Sequence, residues 1–237
     1  MKILFLIPPS EGKNPENLYD LEELSFAFPK PLDIAKTATV KDLKCEGKRF
    51  AEAIELNKNI EKSGTIEAIS RYDGVMYSAI NYAGMTEKGK DFFRNNFAIF
   101  SGMYAIVKPN DKIGNYKLPI ETKGLYLHFW KTVPDKIVDL KPDFIVNLLP
   151  ISYAKMIGLS TNCNRHKKKL AKILDAGIKV ININFLKNNG QKISHGVKTI
   201  KGEWIKQICE NQISDYRDFG GKISENGNII DIDIIKK

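Results

Sequence analysis

Cysteine, histidine and arginine are all scarce in this 237-residue chain, and each scarcity excludes something. Cys45, Cys163 and Cys209 stand far apart with no CxxC pair, which argues against a disulfide framework and against a zinc site. His128, His166 and His195 are equally scattered, so they offer little to a redox-active iron, and no catalytic partner can be found from their spacing. No metal site and no cofactor are expected. Of the 37 basic residues only five are arginine (Arg49, Arg71, Arg94, Arg165 and Arg217), which leaves 32 lysines. No run approaches the roughly 20 apolar residues that cross a bilayer. The opening MKILFLIPPSEGK breaks off at Pro8 and Pro9 without a small-residue cleavage site, so a soluble, cytoplasmic protein with no membrane partner is expected. A Gly/Ser/Pro linker, an internal repeat and a low-complexity tract are also missing, and one domain over residues 1–237 is the economical reading.

What is present is an ordinary globular balance, 43% apolar and 27% charged, with a net charge of +9. Such a chain buries a real core. The surplus of base fits a lysine-biased proteome or a polyanion partner. Short apolar runs alternate with helical spacing, which predicts an α/β fold of the mixed α+β kind.

KILFLI at 2–7 reads as a buried strand ended by Pro8, feeding the polar loop SEGKNPEN. This is not a P-loop: PPSEGKN lacks the first glycine of that motif and has Asn14 where Ser or Thr would follow the lysine. A different anion site built from Ser10, the Gly12 amide and Lys13 stays open beside a plain strand exit. Residues 38–70 look helical with a break at Gly47. Two short helices flanked by Lys41, Lys44, Lys48 and Arg49 fit a helix-hairpin-helix at about 38–60, which can turn amides and cations toward nucleic-acid phosphates. On these residues alone a helical pair with a solvated lysine face is the plainer reading.

The block 72–120 is denser. It holds Asp73-Gly74, Tyr77, a strand at 97–100, a Ser101-Gly102 turn, a second apolar stretch at 103–107, Asp111 and Tyr116-Lys117. Downstream, 125–140 reads as an aromatic-faced helix interrupted or restarted at Pro134, and 142–150 as a strand ending near Asn147. Ser152 is placed as the cap of a helix carrying Tyr153 and Lys155. RHKKKLAKIL, 165–174, is the strongest charge cluster. Residues 178–210 predict two strands around the Asn188-Asn189-Gly190 turn and then a helix, with Lys198, Lys201 and Gly202 at the passage. A closing strand from Ile229 follows the Gly220-Gly221 and Asn226-Gly227 turns.

Taken together, ILFLIPPSEGK, YDGVMYSAI, FSGMYAIVKPNDKIGNYKLPI, YLHFW, FIVNLLPISYAK, VKTIKGEW and NGNIIDIDI resemble the YaaA family, bacterial proteins associated with resistance to peroxide stress. The likeness runs nearly end to end. It implies a family-specific mixed α/β fold with a helix-hairpin-helix and a basic cleft, double-stranded DNA as partner, and a role in limiting oxidative damage and unincorporated iron. By the position of the hairpin, DNA contacts carry over to Lys44, Gly47, Lys48 and Arg49. The cleft carries over to Ser10, Lys13, Asp73, Tyr77, Ser101, Tyr104, Asp111, Tyr116, Lys117, Asn147, Tyr153, Lys198 and Lys201. Several members have arginine where this chain has Lys117 and Lys201; lysine keeps the charge and loses the planar fork.

Two functions follow from these residues. One is a DNA-binding stress protein that grips the backbone with little regard to sequence. The other is an enzyme acting on a small phosphorylated or nucleoside-like substrate, with a small anion as its ligand, Lys13 or Lys198 as anion holder or desolvated base, and Asp73 or Asp111 as proton acceptor. The spacing assigns no nucleophile-base pair, so no catalytic motif is identified.

Overall fold

The computed structural model describes residues 1–159 and 164–235. From the N-terminus the elements are β1 (Ile3–Ile7), β2 (Gly12–Lys13), α1 (Leu32–Thr37), α2 (Val40–Leu43), α3 (Gly47–Lys58), β3 (Thr65–Glu67), α4 (Ala68–Arg71) and β4 (Tyr72–Asp73). Next come α5 (Val75–Ile80), α6 (Glu87–Asn96), β5 (Phe97–Ser101), β6 (Ala105–Val107) and β7 (Lys112–Gly114). The rest is α7 (Val133–Asp139), β8 (Phe144–Asn147), α8 (Ile151–Ile157), α9 (Asn164–Asp175), β9 (Lys179–Leu186), α10 (Val197–Glu210), β10 (Lys222–Asn226) and β11 (Ile229–Ile235). The strands form a seven-stranded sheet, in the order β10-β11-β9-β8-β1-β5-β6, and two small sheets, β2 with β4 and β3 with β7. This is the mixed α/β class expected from the sequence.

The residues group into two compact units. One comprises Met1–Ile7, Gly74–Phe97 and Pro134–Lys237; the other comprises Pro8–Asp73 and Ala98–Val133.

In the first unit β1, β8, β9 and β11 run parallel, and β10 closes a hairpin on β11. β1 is buried along its whole length, as an unbroken apolar run in a parallel sheet should be. Phe5 on β1 stacks on Phe97 at 4.5 Å, and Phe97 stacks on Phe93 of α6 at 4.3 Å. Gly202 explains how α10 meets α5: a Cβ there would lie 2.4 Å from the Met76 carbonyl oxygen and 2.6 Å from the Ala79 Cβ. Thr86 caps α6 by accepting from the Gly89 amide at 3.2 Å, and its own amide donates to the Glu210 carboxylate at 3.1 Å. A polar ladder crosses the parallel strands. Asn147 Nδ2 donates to Asn182 Oδ1 at 3.0 Å, and Asn182 Nδ2 donates to Asp231 Oδ1 at 3.1 Å.

In the second unit β5 and β6 form a buried hairpin, and Phe100 stacks on Trp130 at 5.3 Å. The Trp130 indole N–H donates to the Ile120 carbonyl at 3.0 Å, so this large ring is buried with its one polar atom satisfied. Asn57 of α3 is fully buried; its amide donates to the Ala35 carbonyl at 3.1 Å and the Lys117 carbonyl at 2.9 Å and accepts from the Lys117 amide at 3.0 Å.

Several sequence readings are corrected. The second strand expected after Asn188-Asn189-Gly190 is reduced to a single bridge between Leu186 and Lys192, because β9 already pairs with β8 on one side and β11 on the other. Ser152 is not a cap: α8 starts at Ile151 after Pro150, which puts Ser152 inside the first turn. The helical reading of 38–70 is interrupted after Lys58: Thr65–Glu67 is a strand on β7, and helix resumes at Ala68. Lys201 and Gly202 lie within α10, and only Lys198, its second residue, stands at the passage into it. Pro134 opens α7 from its first turn, where a missing N–H costs nothing. Cys163 and the Arg165 to Lys168 side chains of the basic run fall outside the described residues.

Candidate functional site

The densest group of expected site residues lies in the second unit, where β2 pairs with β4. The register sets Gly12 opposite Asp73 and Lys13 opposite Tyr72. The strands approach so closely that a Cβ on Gly12 would sit 2.7 Å from the Asp73 carbonyl oxygen, which accounts for glycine there. The Ser10 hydroxyl donates to that same carbonyl, so Ser10 fixes the loop rather than presenting a free hydroxyl. The Asp73 residue itself is exposed.

Lys13 lays its ammonium 4.4 Å from the centre of the Tyr116 ring and 5.7 Å from that of Tyr72, and donates to the Ser10 carbonyl at 3.3 Å. Both rings are locked. The Tyr116 hydroxyl bonds the Tyr72 hydroxyl at 2.8 Å and the Ser101 hydroxyl at 2.7 Å, and the Gly102 and Met103 amides also face its oxygen. Burial raises the Tyr116 phenol above its usual range, so it stays protonated. Ser101 Oγ further accepts from the Tyr104 amide at 3.0 Å. The Tyr104 ring meets Tyr116 edge-on at 5.6 Å, while its hydroxyl accepts from the Gly114 amide at 3.1 Å; burial raises this phenol too.

Charge completes the picture. Burial first, then repulsion from Lys117, brings the Lys13 amine from its ordinary 10.5 down to about 7; Glu11 pulls the other way, and Arg71 adds to the lowering. Glu11 is itself engaged by Lys117 at 3.5 Å. The arrangement provides a half-buried amine, part uncharged at neutral pH, beside a second cation and a chain of hydroxyls.

Asp111 serves a different purpose. It is buried in the turn before β7, where it accepts from the Ser25 amide at 3.0 Å and the Lys108 amide at 2.7 Å. This expected proton acceptor is a turn-builder, its carboxylate held by two amides and the Ser25 hydroxyl.

Lys44, Gly47, Lys48 and Arg49 lie on the α2–α3 connection, exposed to solvent. Thr39 and Asp42 close a capping box on α2, and Lys44 ends it in the left-handed conformation, φ 54°. Gly47, φ 57°, opens α3 with open space where a side chain would be. No side chain caps α3, so its first amides remain available. Lys44 pairs with Glu121 at 3.4 Å and Lys48 with Glu52 at 3.8 Å, both exposed pairs of small energetic weight.

In the first unit Asn147 ends β8 and accepts from the Leu149 amide at 3.2 Å. Lys201 of α10 donates to the Leu148 carbonyl at 2.5 Å, and burial lowers its amine to about 8. Lys198 is exposed on the first turn of α10. Tyr77 is buried in α5, and Tyr153 is half-buried on α8.

Three participants escaped sequence reasoning. Tyr72 and Arg71 join the Lys13 group through the β2–β4 pairing, which links residues about 60 positions apart, whereas Glu11 lies two residues from Lys13 in the chain and is tied in by its ion pair with Lys117. Asn182 and Asp231 did carry a signal, since ININ at 181–184 and DIDI at 231–234 share the two-residue period of strands with one polar face.

Residues 1–226 match the family described as peroxide stress protein YaaA. Relatives include a UPF0246 protein of Clostridioides difficile, 30% identical over 210 residues, covering 81% of this chain and 80% of the relative. A UPF0246 protein of Fusobacterium nucleatum is 27% identical over 236 residues, 91% of this chain and 88% of the relative. One of Malacoplasma penetrans is 27% identical over 249 residues, 94% of each.

Proposed function

The chain belongs to the peroxide stress protein YaaA family, and from that premise we propose that it is a double-stranded DNA-binding protein of the response to hydrogen peroxide, limiting oxidative damage and unincorporated iron. The observation that carries the DNA reading is the α2–α3 connection. There the uncapped amides of a twelve-residue helix coincide with the exposed Lys44, Lys48 and Arg49. Helix N-terminal amides and mobile cations suit phosphate oxygens, and lysine, a point charge, suits backbone attraction over base readout. The acidic Glu46 at the N-cap offsets part of this. In this reading α2 and α3 act as a helix-hairpin-helix. Lys117 in the second unit, and Lys198 and Lys201 in the first, supply further basic groups.

The test is a salt-titrated binding assay on duplex, single-stranded and bubble DNA, run on the intact protein and on the triple variant K44A/K48A/R49A. The slope of log affinity against log salt should fall by up to about 0.9 for each lost phosphate contact on duplex, with similar losses on unrelated sequences. A flat salt dependence in the unmodified protein overturns the reading.

A second reading, an enzyme acting on a small phosphorylated or nucleoside-like substrate, is favoured by the placement of the Lys13 amine against the Tyr116 and Tyr72 rings and their chain of hydroxyls, where burial lowers it to about 7. A structural DNA-backbone contact has no use for an amine that is half uncharged at neutral pH.

A further inference from the structure

Lys13 is poorly explained as a structural lysine. Among the described residues no carboxylate lies within ion-pairing distance of its Nζ, and its polar contact is one carbonyl at 3.3 Å. Lys117 and Arg71 both repel it, while the nearest acid to influence it, Glu11, is engaged by Lys117. An amine kept for stability is better served by a carboxylate, and one kept to hold an anion is better kept charged. What this setting does supply is a fixed, partly desolvated nitrogen. β2–β4 pairing places its backbone, and the Tyr72 and Tyr116 rings, held through Ser101, restrict where its side chain can lie. At pH 7 about half of such an amine is free base, against about one in three thousand for a lysine at its ordinary value.

We propose that the Lys13 amine is a nucleophile that forms an imine with the aldehyde of a phosphorylated sugar, with Lys117 holding the phosphate. The proposal rests on the enzymatic reading and gives it a substrate class. The nitrogen lone pair attacks the aldehyde carbon and a C–N bond forms as the carbonyl electrons move to oxygen, which takes up a proton. Loss of a proton from nitrogen gives the carbinolamine. Its C–O bond then breaks, the hydroxyl leaves as water with one added proton, and the nitrogen lone pair closes the C=N bond as an iminium, whose N–H proton passes to water to leave the imine. Amine plus aldehyde give imine plus water, with no oxidant or reductant consumed. The same chemistry is presented by a free sugar phosphate and by an abasic deoxyribose within DNA, whose open-chain form is an aldehyde flanked by phosphates.

The experiment traps the imine. Intact protein is incubated with sodium cyanoborohydride and either 2-deoxyribose 5-phosphate or a duplex carrying one abasic site, and the adduct is mapped by peptide mass spectrometry between pH 6 and 9. The expected result is one adduct per chain at Lys13, well ahead of the other lysines at pH 7, with that preference narrowing as pH rises and ordinary lysines lose their protons. Lys13→Arg should remove it while keeping the charge, with circular dichroism checking the fold. Lys117→Gln, which also relieves the repulsion on the Lys13 amine, should raise the sugar phosphate concentration needed several-fold more than the concentration of unphosphorylated glyceraldehyde needed.

Trapping by the free sugar alone, or by the abasic duplex alone, identifies the source and supports the proposal. Adducts spread over exposed lysines, or no Lys13 adduct with either compound, overturn it. The mapping is done on the unaltered protein and so decides the matter even if Lys13→Arg fails to fold. Affinity for intact duplex is measured separately, so failure here and failure of the DNA reading are told apart.

Discussion

The Arg71 guanidinium grips the Ile113 carbonyl twice, through Nε at 3.3 Å and Nη2 at 3.1 Å. It also bonds the Asn14 carbonyl and, at 2.9 Å, the Asn17 side-chain oxygen, and it is fully buried. One side chain thus joins the loop after β2 to strand β7 within the second unit. Arg71→Ala leaves these acceptors without a donor and should cost about 3 kcal/mol in a urea unfolding titration. Arg71→Lys should recover only part, because an ammonium cannot reproduce the fork. A loss under about 1 kcal/mol would show that water replaces the guanidinium.

Lys13 makes stability depend on pH with a definite sign. Its amine titrates near 7 in the folded chain and near 10.5 when unfolded, so between these values the unfolded chain binds more protons. Stability should therefore rise with pH across that window. Lys13→Met should stabilise the protein most at pH 6 to 7, with the advantage shrinking toward pH 10. Lys201, near 8, adds to the same slope over the upper part of the window. Urea midpoints at pH 7, 8 and 9 for both proteins check this; parallel curves would count against the burial of the Lys13 amine.

Gly202→Ala should force α10 and α5 apart, because the new methyl would meet backbone oxygen at 2.4 Å. The expected cost is about 1–3 kcal/mol, read from the thermal midpoint. Gly177→Ala, where nothing lies within 4 Å but φ is 78°, should cost less and through backbone strain alone.

Thr86→Ala should cost about 1 kcal/mol, the usual weight of a helix N-cap. The Thr86 hydroxyl and then its amide hold the Glu210 carboxyl below its ordinary 4.5. That contribution is therefore present above about pH 4.5 and lost as pH falls through the lower folded value. In Thr86→Ala the acid limb of a pH–stability curve should be shallower than in the unaltered protein.

Local signals were readable wherever sequence neighbours decide the outcome. β1 and β8 show as apolar runs stopped by proline or a polar turn, α3 and α10 as helical spacing, and β11 as a closing strand after two glycine-bearing turns, while β10 between those turns gives no such signal. Long-range pairing was not readable in the same way. Nothing near Lys187 reveals that β9 already has partners on both sides, so the hairpin pattern after it misleads. Pro150 was a better guide to the start of α8 than Ser152, since proline fixes the backbone just ahead of the helix. At the candidate site Ser10 and Lys13 are marked by the loop after β1, Ser101 and Tyr116 by the dense block at 72–120, and Tyr104 by the family resemblance; the structure gathers them. Tyr72 and Arg71 needed the β2–β4 register, and Glu11 its ion pair with Lys117. Asp111 was picked for its chemistry, but its position in a turn rich in amides determines its role.

The Asn147–Asn182–Asp231 ladder selects one alignment among strands that are otherwise nearly interchangeable. Isoleucine and valine fill most of the remaining positions of β8, β9 and β11, and one such side chain packs much like another. Sliding β8 two residues along β9 in one direction would set Asn147 against Val180, and in the other would set Ile145 against Asn182. Either shift strands an amide beside a branched aliphatic, and a one-residue shift turns every side chain to the wrong face. Three polar side chains thereby serve as an index mark for the parallel sheet, choosing its register as it assembles.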